Sequence, residues 1–139
     1  MVAGICLTLA AAAAAATPPA FIEAPRFTLA WTHSIELQRW EEDYAVLPGR
    51  TPGAPPRLRA HEARIRGSGA GMEPAPDARL AGGWYHYQPP AWPATPLRLT
   101  RSEFTADFEL CLAGQCRPMG HWLASDGGVT LLAPCSAPQ

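Results

Sequence analysis

Four side chains with the chemistry of a binding or catalytic site lie close together in the N-terminal part of the chain. They are His33, Ser34, Glu36 and Glu42. An imidazole, a hydroxyl and two carboxylates can support hydrolysis, and imidazole and carboxylate groups also bind zinc and similar ions. The spacing of these residues, and the elements that carry them, decide among these uses.

Strand geometry argues against a catalytic pair formed by His33 and Ser34. The run from Phe27 to His33 alternates large side chains with Thr and Ala, which is typical of a β-strand. Neighbours on a strand point to opposite faces, so the imidazole cannot reach the adjacent hydroxyl. No Gly-x-Ser-x-Gly sequence surrounds Ser34. We therefore expect a non-enzymatic protein, with a small hydrolytic domain centred on His33 as an alternative.

A metal-binding domain is a second form of that alternative, with His33, Glu36 and Glu42 as ligands and, in one version, His61 or His86 as a further ligand. These ligand types suit zinc or a similar ion. Their spacing matches no recognised metal motif. We expect instead that His33 lies at a strand end and hydrogen-bonds a carboxylate such as Glu36 or Glu42. No metal and no other cofactor is therefore expected.

A glycine-rich run, Gly67 to Gly71, needs a positive φ or a close backbone approach. It is not a dinucleotide-binding loop, because the six-position glycine pattern is incomplete and Glu73-Pro74 follows in place of a helix. We expect a tight turn, whose backbone N–H groups can face an anion.

These features together predict one binding patch. Polar contacts come from the imidazole and the carboxylates, backbone donors come from the glycine-rich turn, and aromatic side chains supply packing. The expected binding residues are His33, Ser34, Glu36, Trp40, Glu42, Tyr44, Gly69, Ala70, Gly71, Met72 and Trp84.

Short strands are the elements that have to position this patch. The 139 residues include 16 Pro and 12 Gly, which disfavour long helices and suit strands joined by turns. The expected strands are Phe27–His33, Trp40–Val46, Arg57–Arg66, Trp84–Tyr87, Leu97–Thr100, Phe104–Leu112, Met119–Leu123 and Val129–Ala133. Asp126-Gly127-Gly128 is expected to be the turn of a hairpin between the last two. The prediction is an all-β, single-domain antiparallel sandwich or small barrel of about seven or eight strands, after an N-terminal signal helix.

The N-terminal segment has the form of a secretory signal peptide. Val2 to Ala16 is uncharged and apolar, and it is shorter than the roughly 20 residues of a membrane-spanning helix. Ala14-Ala15-Ala16 is a cleavage site that makes Thr17 the new N-terminus. No basic residue precedes the apolar run, so the α-amino group supplies the charge or the true start lies upstream of Met1. The alternatives are an uncleaved anchor, which would retain the protein at the inner membrane, and a buried alanine-rich helix. The expected organisation is signal peptide 1–16, linker 17–26, β domain 27–135 and tail 136–139.

Cysteine content agrees with export to the periplasm, an oxidising compartment where a disulfide is expected. The mature chain keeps Cys111, Cys116 and Cys135. Cys111–Cys116 is the first choice because the two residues flank a tight loop with Gly114 at its tip, and Cys116–Cys135 is the second. Either choice leaves one cysteine free or paired between chains. The formal net charge of −1 argues against a general nucleic-acid binder, which needs a basic face.

Several runs in combination resemble a known family. They are Trp31-Thr32-His33-Ser34-Ile35-Glu36, Trp40-Glu41-Glu42-Asp43-Tyr44, Gly67 to Met72 and Gly83-Trp84-Tyr85. From about Phe27 to Leu112, the chain resembles the bacterial domain of unknown function numbered 1850. That family has no established activity. Its members resemble small exported proteins often encoded beside TRAP-type transporters of the TAXI subfamily, which couple solute uptake to ion gradients.

The resemblance implies a setting, namely an accessory role in solute transport across the inner membrane. With the residues above, it predicts a non-enzymatic periplasmic accessory or ligand-binding module. Its expected partners are a TRAP-type transporter subunit and a small solute, with no nucleic acid. A purely structural envelope protein is a further alternative, and it predicts no pocket.

Overall fold

Eleven strands make up most of the part of the chain that the computed structural model describes, which is residues 1–11, 17–32, 38–66 and 78–138. In chain order they are β1 Val2–Leu9, β2 Ala20–Glu23, β3 Arg26–Thr32, β4 Arg39–Leu47, β5 Arg57–Arg66, β6 Arg79–Ala81, β7 Trp84–Tyr87, β8 Leu97–Thr100, β9 Glu109–Leu112, β10 Gln115–Pro118 and β11 Val129–Ala137. A 3-10 turn spans Met119–His121. Within these ranges, no helix is long and apolar enough to cross a membrane.

The strands form two antiparallel sheets. The four-stranded sheet has the order β2-β1-β11-β8, and the seven-stranded sheet has the order β10-β9-β3-β4-β5-β7-β6. Neither sheet closes into a barrel in the described ranges. The predicted all-β class and the sandwich are confirmed.

Alternation along the strands places large apolar side chains between the two sheets. Ile5, Leu7 and Leu132 come from the four-stranded sheet, and Phe27 and Leu29 come from the seven-stranded sheet. All five are buried members of one hydrophobic cluster. Each such side chain contributes about 2 kcal/mol by leaving water, so this shared interior is what holds the sheets together.

The N-terminal segment forms a strand instead of the expected signal helix. β1 lies between β2 and β11, and its side chains Ile5 and Leu7 are 0% exposed. Ile5, Leu7 and Leu9 fall on alternate positions, which suits a strand with one face in the core. Cleavage after Ala16 would remove β1, and both β1 and β2 lie in front of the domain start expected at residue 27. Export to the periplasm stays a prediction.

Two expected strands near the C-terminus are wrong in part. Of the run Phe104–Leu112, only β9 is a strand, and Phe104 is 94% exposed. The chain turns back before β9 because Arg101 and Asp107 form a two-point ion pair with N···O distances of 2.9 Å. The expected strand Met119–Leu123 is a turn, in which Leu123 N–H donates to the Met119 carbonyl. The hairpin expected around Asp126 to Gly128 is therefore not formed.

Two strands at the edges of the seven-stranded sheet had no sequence signal. Every residue of β6 and of β10 is exposed. Strand prediction relies on alternation between a buried and a solvent face. Edge strands without a buried face lack this alternation, and Pro118 at the end of β10 further weakens the pattern.

The disulfides correct the cysteine prediction in one respect. Cys111 and Cys116 are bonded, which is the pairing expected first. Cys6 and Cys135 form a second disulfide between β1 and β11, so Cys116–Cys135 is not formed and no cysteine is left over. The fourth cysteine was assigned to the signal peptide, which is why its partner was missed.

Candidate ligand-binding site

The polar residues of β4 are divided between the two faces of the seven-stranded sheet. Glu42 pairs in register with Leu29, whose side chain is in the core, so Glu42 also points to the inner face. Asp43 pairs with Thr28 on the outer face. Because successive residues on a strand point in opposite directions, Tyr44 returns to the inner face, where it is buried.

Glu42 lines a cleft of about 290 Å³, which lies between β3 and β4 on one side and β8 on the other. Most of the lining is apolar or aromatic, and the lining also includes Arg98, which is exposed. The lining residues are Leu29, Trp31, Glu42, Tyr44, Leu97, Arg98, Leu99 and Phe108. A carboxylate thus faces a predominantly apolar space.

One hydrogen bond fixes the carboxylate. The Tyr44 hydroxyl donates to Glu42 Oε1 at 2.7 Å. Burial raises the pKa of Glu42, and the hydrogen bond from Tyr44 offsets only part of this effect. No ion pair joins Glu42 to an arginine or a histidine in the described ranges.

The negative charge of Glu42 contributes to a raised pKa at two tyrosines. Burial raises the pKa of Tyr44 strongly, and the carboxylate adds to the increase. Burial also raises the pKa of Tyr87, again with a contribution from Glu42. Tyr87 lies two strands from Glu42, because both residues pair in register with Ala63 of β5. Both hydroxyl groups therefore remain protonated at neutral pH, and that of Tyr44 donates its hydrogen to Glu42.

Aromatic rings form one wall of the cleft. Trp31 stacks on Trp40 with ring centroids 5.9 Å apart, and a tilted contact of 5.9 Å joins Trp31 to Phe108. Trp31 and Phe108 had not been assigned to the site from the sequence. Phe108 was expected within the strand Phe104–Leu112, but the structure places it at the end of a loop, directly before β9.

The structure brings together three of the expected binding residues. Trp40, Glu42 and Tyr44 share the inner face of β4. Trp84 does not join them, because it pairs with Arg66 on the outer face and lies 5.5 Å from that guanidinium. The other expected residues, His33, Ser34, Glu36, Gly69, Ala70, Gly71 and Met72, lie outside the described residues.

The histidines considered as further metal ligands are not beside Glu42. His86 pairs with Glu62 on the outer face, and His61 lines an outer groove. In the part of the chain that the structure covers, no group of three His, Cys, Asp or Glu side chains is arranged to hold a metal ion. His33 and Glu36, the other ligands of the metal-binding alternative, lie outside the described residues, so that alternative stays a prediction, with neither His61 nor His86 placed beside Glu42.

A charged network on the outer face was not predicted. Arg39 binds Glu41 at 2.7 Å and Glu109 at 3.1 Å, and Arg64 binds Glu41 at 2.7 Å and Asp43 at 2.8 Å. Burial alone would raise the pKa of Asp43, but hydrogen bonds from Arg64 and Thr28 outweigh it, so the pKa is lowered.

This network borders an outer groove of about 540 Å³. Its acidic side chains already have arginine partners, whereas Glu42 has none among the described residues. An unpaired carboxylate in an apolar cleft is the stronger sign of a missing ligand, because burial of a charge is costly until the charge is paired. We therefore place the candidate binding site at Glu42, and we call it the Glu42 cleft.

Comparison with known proteins agrees with the resemblance found in the sequence. The model of one protein family, described as "Domain of unknown function (DUF1850)", matches residues 27–119. The match covers more than half of the chain and includes all the lining residues of the Glu42 cleft. Searches of curated proteins and of solved structures found no significant match.

Proposed function

We propose that this chain, which belongs to the DUF1850 family, is a non-enzymatic module that binds a small organic cation in the Glu42 cleft. One observation carries the proposal. The Glu42 carboxylate faces an aromatic and aliphatic cleft, and no cationic side chain of the described residues pairs with it.

A cationic ligand would supply the opposite charge that the Glu42 carboxylate lacks among the described residues. Removing a carboxylate from water raises its pKa and costs free energy until an opposite charge arrives. An ammonium group would supply that charge and would lower the pKa of Glu42 again. Arginine does so for Asp43 on the opposite face of the same strand.

The walls of the cleft favour the same class of ligand. The faces of aromatic rings attract cations, and Trp31 and Phe108 border the space beside Glu42. Leu97 and Leu99 form the aliphatic side, where a short hydrocarbon chain can pack. A volume of about 290 Å³ suits a small solute. The expected ligand is a small amine or quaternary ammonium compound with a short apolar body.

The proposed setting is the periplasm, where the module would act beside a TRAP-type transporter of the TAXI subfamily. The resemblance stated above implies this partner, and two disulfides suit an oxidising compartment. Binding of a small solute would be a sensible activity for an accessory of a solute transporter.

Calorimetric titration of the full chain with three probes of the same length tests the ligand class. The probes are butylammonium, butanol and butyrate. We expect butylammonium to bind best and Glu42→Gln to weaken its binding about tenfold, which is 1.4 kcal/mol. Glu23→Gln, which changes an exposed glutamate of β2, is the matched control. Equal binding of butylammonium by wild type and Glu42→Gln, or binding of none of the probes, would refute the proposal.

A separate experiment tests the partner. The tagged full chain is used to recover proteins from detergent-solubilised membranes of a strain that expresses a TAXI-type transporter. We expect the transporter's membrane subunit to be enriched over a tag-only control. Recovery of the chain without that subunit would count against the proposed setting. It would not affect the proposed ligand class, which the titration tests separately.

A further inference from the structure

The two disulfides of this protein close loops of very different length. Cys6–Cys135 joins β1 to β11 across 129 residues of sequence, whereas Cys111 and Cys116 are five residues apart. The β9–β10 hairpin between the latter pair turns at Ala113 and Gly114, whose φ angles are 51° and 83°. Positive φ at both central residues is the geometry of a tight two-residue hairpin turn. The turn and the strand pairing thus already hold the segment that Cys111–Cys116 closes.

The Cys111–Cys116 bond is also accessible. Both residues line the outer groove, and Cys116 is exposed on β10, the edge strand of the seven-stranded sheet. Cys6 and Cys135 are half-buried, as is Cys111, and they lie on two strands in the middle of the four-stranded sheet, so the exposure of Cys116 is what distinguishes the two bonds. Exposed disulfides are the ones open to attack by a thiolate, whereas structural ones resist reduction.

A guanidinium lies beside both sulfur atoms of the exposed bond. Arg39 Nη2 is 4.0 Å from Cys111 Sγ and 3.9 Å from Cys116 Sγ. Glu41 and Glu109 hold the guanidinium in this position. A nearby positive charge stabilises a thiolate and so assists its departure from a disulfide. The two carboxylates reduce the net charge, so the effect of Arg39 is expected to be moderate.

We propose that Cys111–Cys116 is a thiol–disulfide exchange site, which accepts two electrons from thiols that reach the outer groove. A thiolate attacks the exposed Cys116 Sγ. The new bond is a mixed disulfide, the bond to Cys111 breaks, and Cys111 leaves as a thiolate beside Arg39. A second thiolate then attacks the sulfur of the first, which forms a disulfide between the two donors and releases Cys116 as a thiolate. The donors' two protons pass to the solvent or to the released thiolates.

This site is on the opposite face of the sheet from the Glu42 cleft, and its test is independent of ligand binding. The oxidised full chain is incubated in glutathione buffers of increasing reducing strength and, in a second arm, with a peptide that carries two cysteines. Free thiols are then alkylated and located by mass spectrometry. We expect Cys111 and Cys116 to be labelled about tenfold faster than Cys6 and Cys135. Reduction of both bonds at the same rate, or of Cys6–Cys135 first, overturns the proposal.

The two donor arms identify the source of the thiol. Faster reaction with glutathione indicates a small thiol, and faster reaction with the peptide indicates a protein thiol. Reaction with neither donor, under conditions that reduce a reference exposed disulfide, overturns the proposal.

An early intermediate tests the order of attack, and variants test the role of Arg39. When the reaction of the wild type with reduced glutathione is quenched with acid at early times, mass spectrometry should find glutathione on Cys116 and not on Cys111, and glutathione on Cys111 alone would contradict the proposed attack. Arg39→Gln should slow reduction about threefold, whereas Arg39→Lys should retain most of the rate. The control is Arg64→Gln, which also loses two ion pairs with the network but no sulfur contact. An equal effect of Arg64→Gln and Arg39→Gln would assign the slowing to loss of the network, against the proposal.

Discussion

The hydroxyl of Tyr44 donates a 2.7 Å hydrogen bond to the carboxylate of Glu42, two residues earlier on the same strand. The bond exists because residues i and i+2 of a strand share a face. The residues between and beside them, Glu41 and Asp43, face the other side and pair with arginines. Among the described residues, one strand therefore carries a carboxylate without an ion-pair partner on its inner face and arginine-paired carboxylates on its outer face.

Because no cationic side chain of the described residues pairs with it, Glu42 should be a destabilising residue at neutral pH. Its pKa is raised by burial, so the folded state favours the protonated form. The associated stability is fully present below the unfolded pKa, near 4.5, and is lost as pH rises through the higher folded pKa. We expect Glu42→Gln to stabilise the protein at pH 7 by up to about 1 kcal/mol, with little difference at pH 4.

Thermal unfolding between pH 4 and pH 7 measures this effect, with Glu23→Gln as the exposed control. The same variant is expected to lose the stabilisation that butylammonium gives the wild type. A gain in stability combined with a loss of binding is typical of a functional site. A Glu42→Gln protein less stable than wild type at pH 7 would show that the carboxylate is already satisfied.

The inner part of the fold could be predicted from the sequence because its strands alternate. β3, β4 and β5 each place apolar side chains on one face, and the sequence indicated all three. β1 alternates as well, but the face opposite Ile5 and Leu7 consists of Val, Gly, Cys and Thr and carries no charge, and an alanine run follows. It therefore has the composition of a signal peptide, and only its pairing with β11 distinguishes the two.

The candidate site could be predicted only along β4. Glu42 and Tyr44 share a face by local geometry, so the sequence was sufficient to associate them. Leu97 and Leu99 reach the cleft because the two sheets stack, and stacking is not encoded in any one segment. The Arg39–Glu109 pair joins residues 70 apart in sequence, so it depends on β9 lying beside β3.

Leu7→Ala distinguishes a core strand from a removable signal segment. Leu7 is fully buried in β1, and truncation of such a side chain leaves a cavity that costs about 3 kcal/mol. Leu80→Ala, at an exposed position of β6, should change the free energy of unfolding by less than about 0.5 kcal/mol. Urea unfolding of the purified chain measures both. If Leu7→Ala unfolds like the wild type, β1 is not part of the stable domain.

The two disulfides should differ in their effect on stability. The entropy lost by the unfolded chain grows with the length of the loop that a disulfide closes. With sequence separations of 129 and 5, Cys6–Cys135 should stabilise the fold by about 3 kcal/mol more than Cys111–Cys116. Paired Cys→Ala variants, compared by urea unfolding under oxidising conditions, measure the difference. Equal losses would show that the β9–β10 hairpin also depends on its disulfide.

The Arg101–Asp107 pair should make the protein sensitive to acid. Arg101 is only 2% exposed, and besides Asp107 it donates to Thr130 of β11 at 3.2 Å. Burial would raise the pKa of Asp107, but hydrogen bonds from Arg101 and the Gly120 backbone N–H outweigh it, so the pKa is lowered. The stability contributed by Asp107 is therefore present above its unfolded pKa, near 3.8, and is lost as pH falls through the lower folded pKa.

Asp107→Asn should leave the buried guanidinium without its counter-charge and cost about 3 kcal/mol at neutral pH. The deficit relative to wild type should shrink as pH falls below the unfolded pKa, near 3.8, because protonation of the wild-type carboxylate removes the charge that distinguishes it from asparagine. Glu103→Gln, at an exposed position in the same loop, is the control and should behave like the wild type throughout. Urea unfolding at pH 7 and pH 2.5 measures the change. A deficit that is the same at both pH values would indicate that Asp107 acts through its hydrogen-bond geometry and not through its charge.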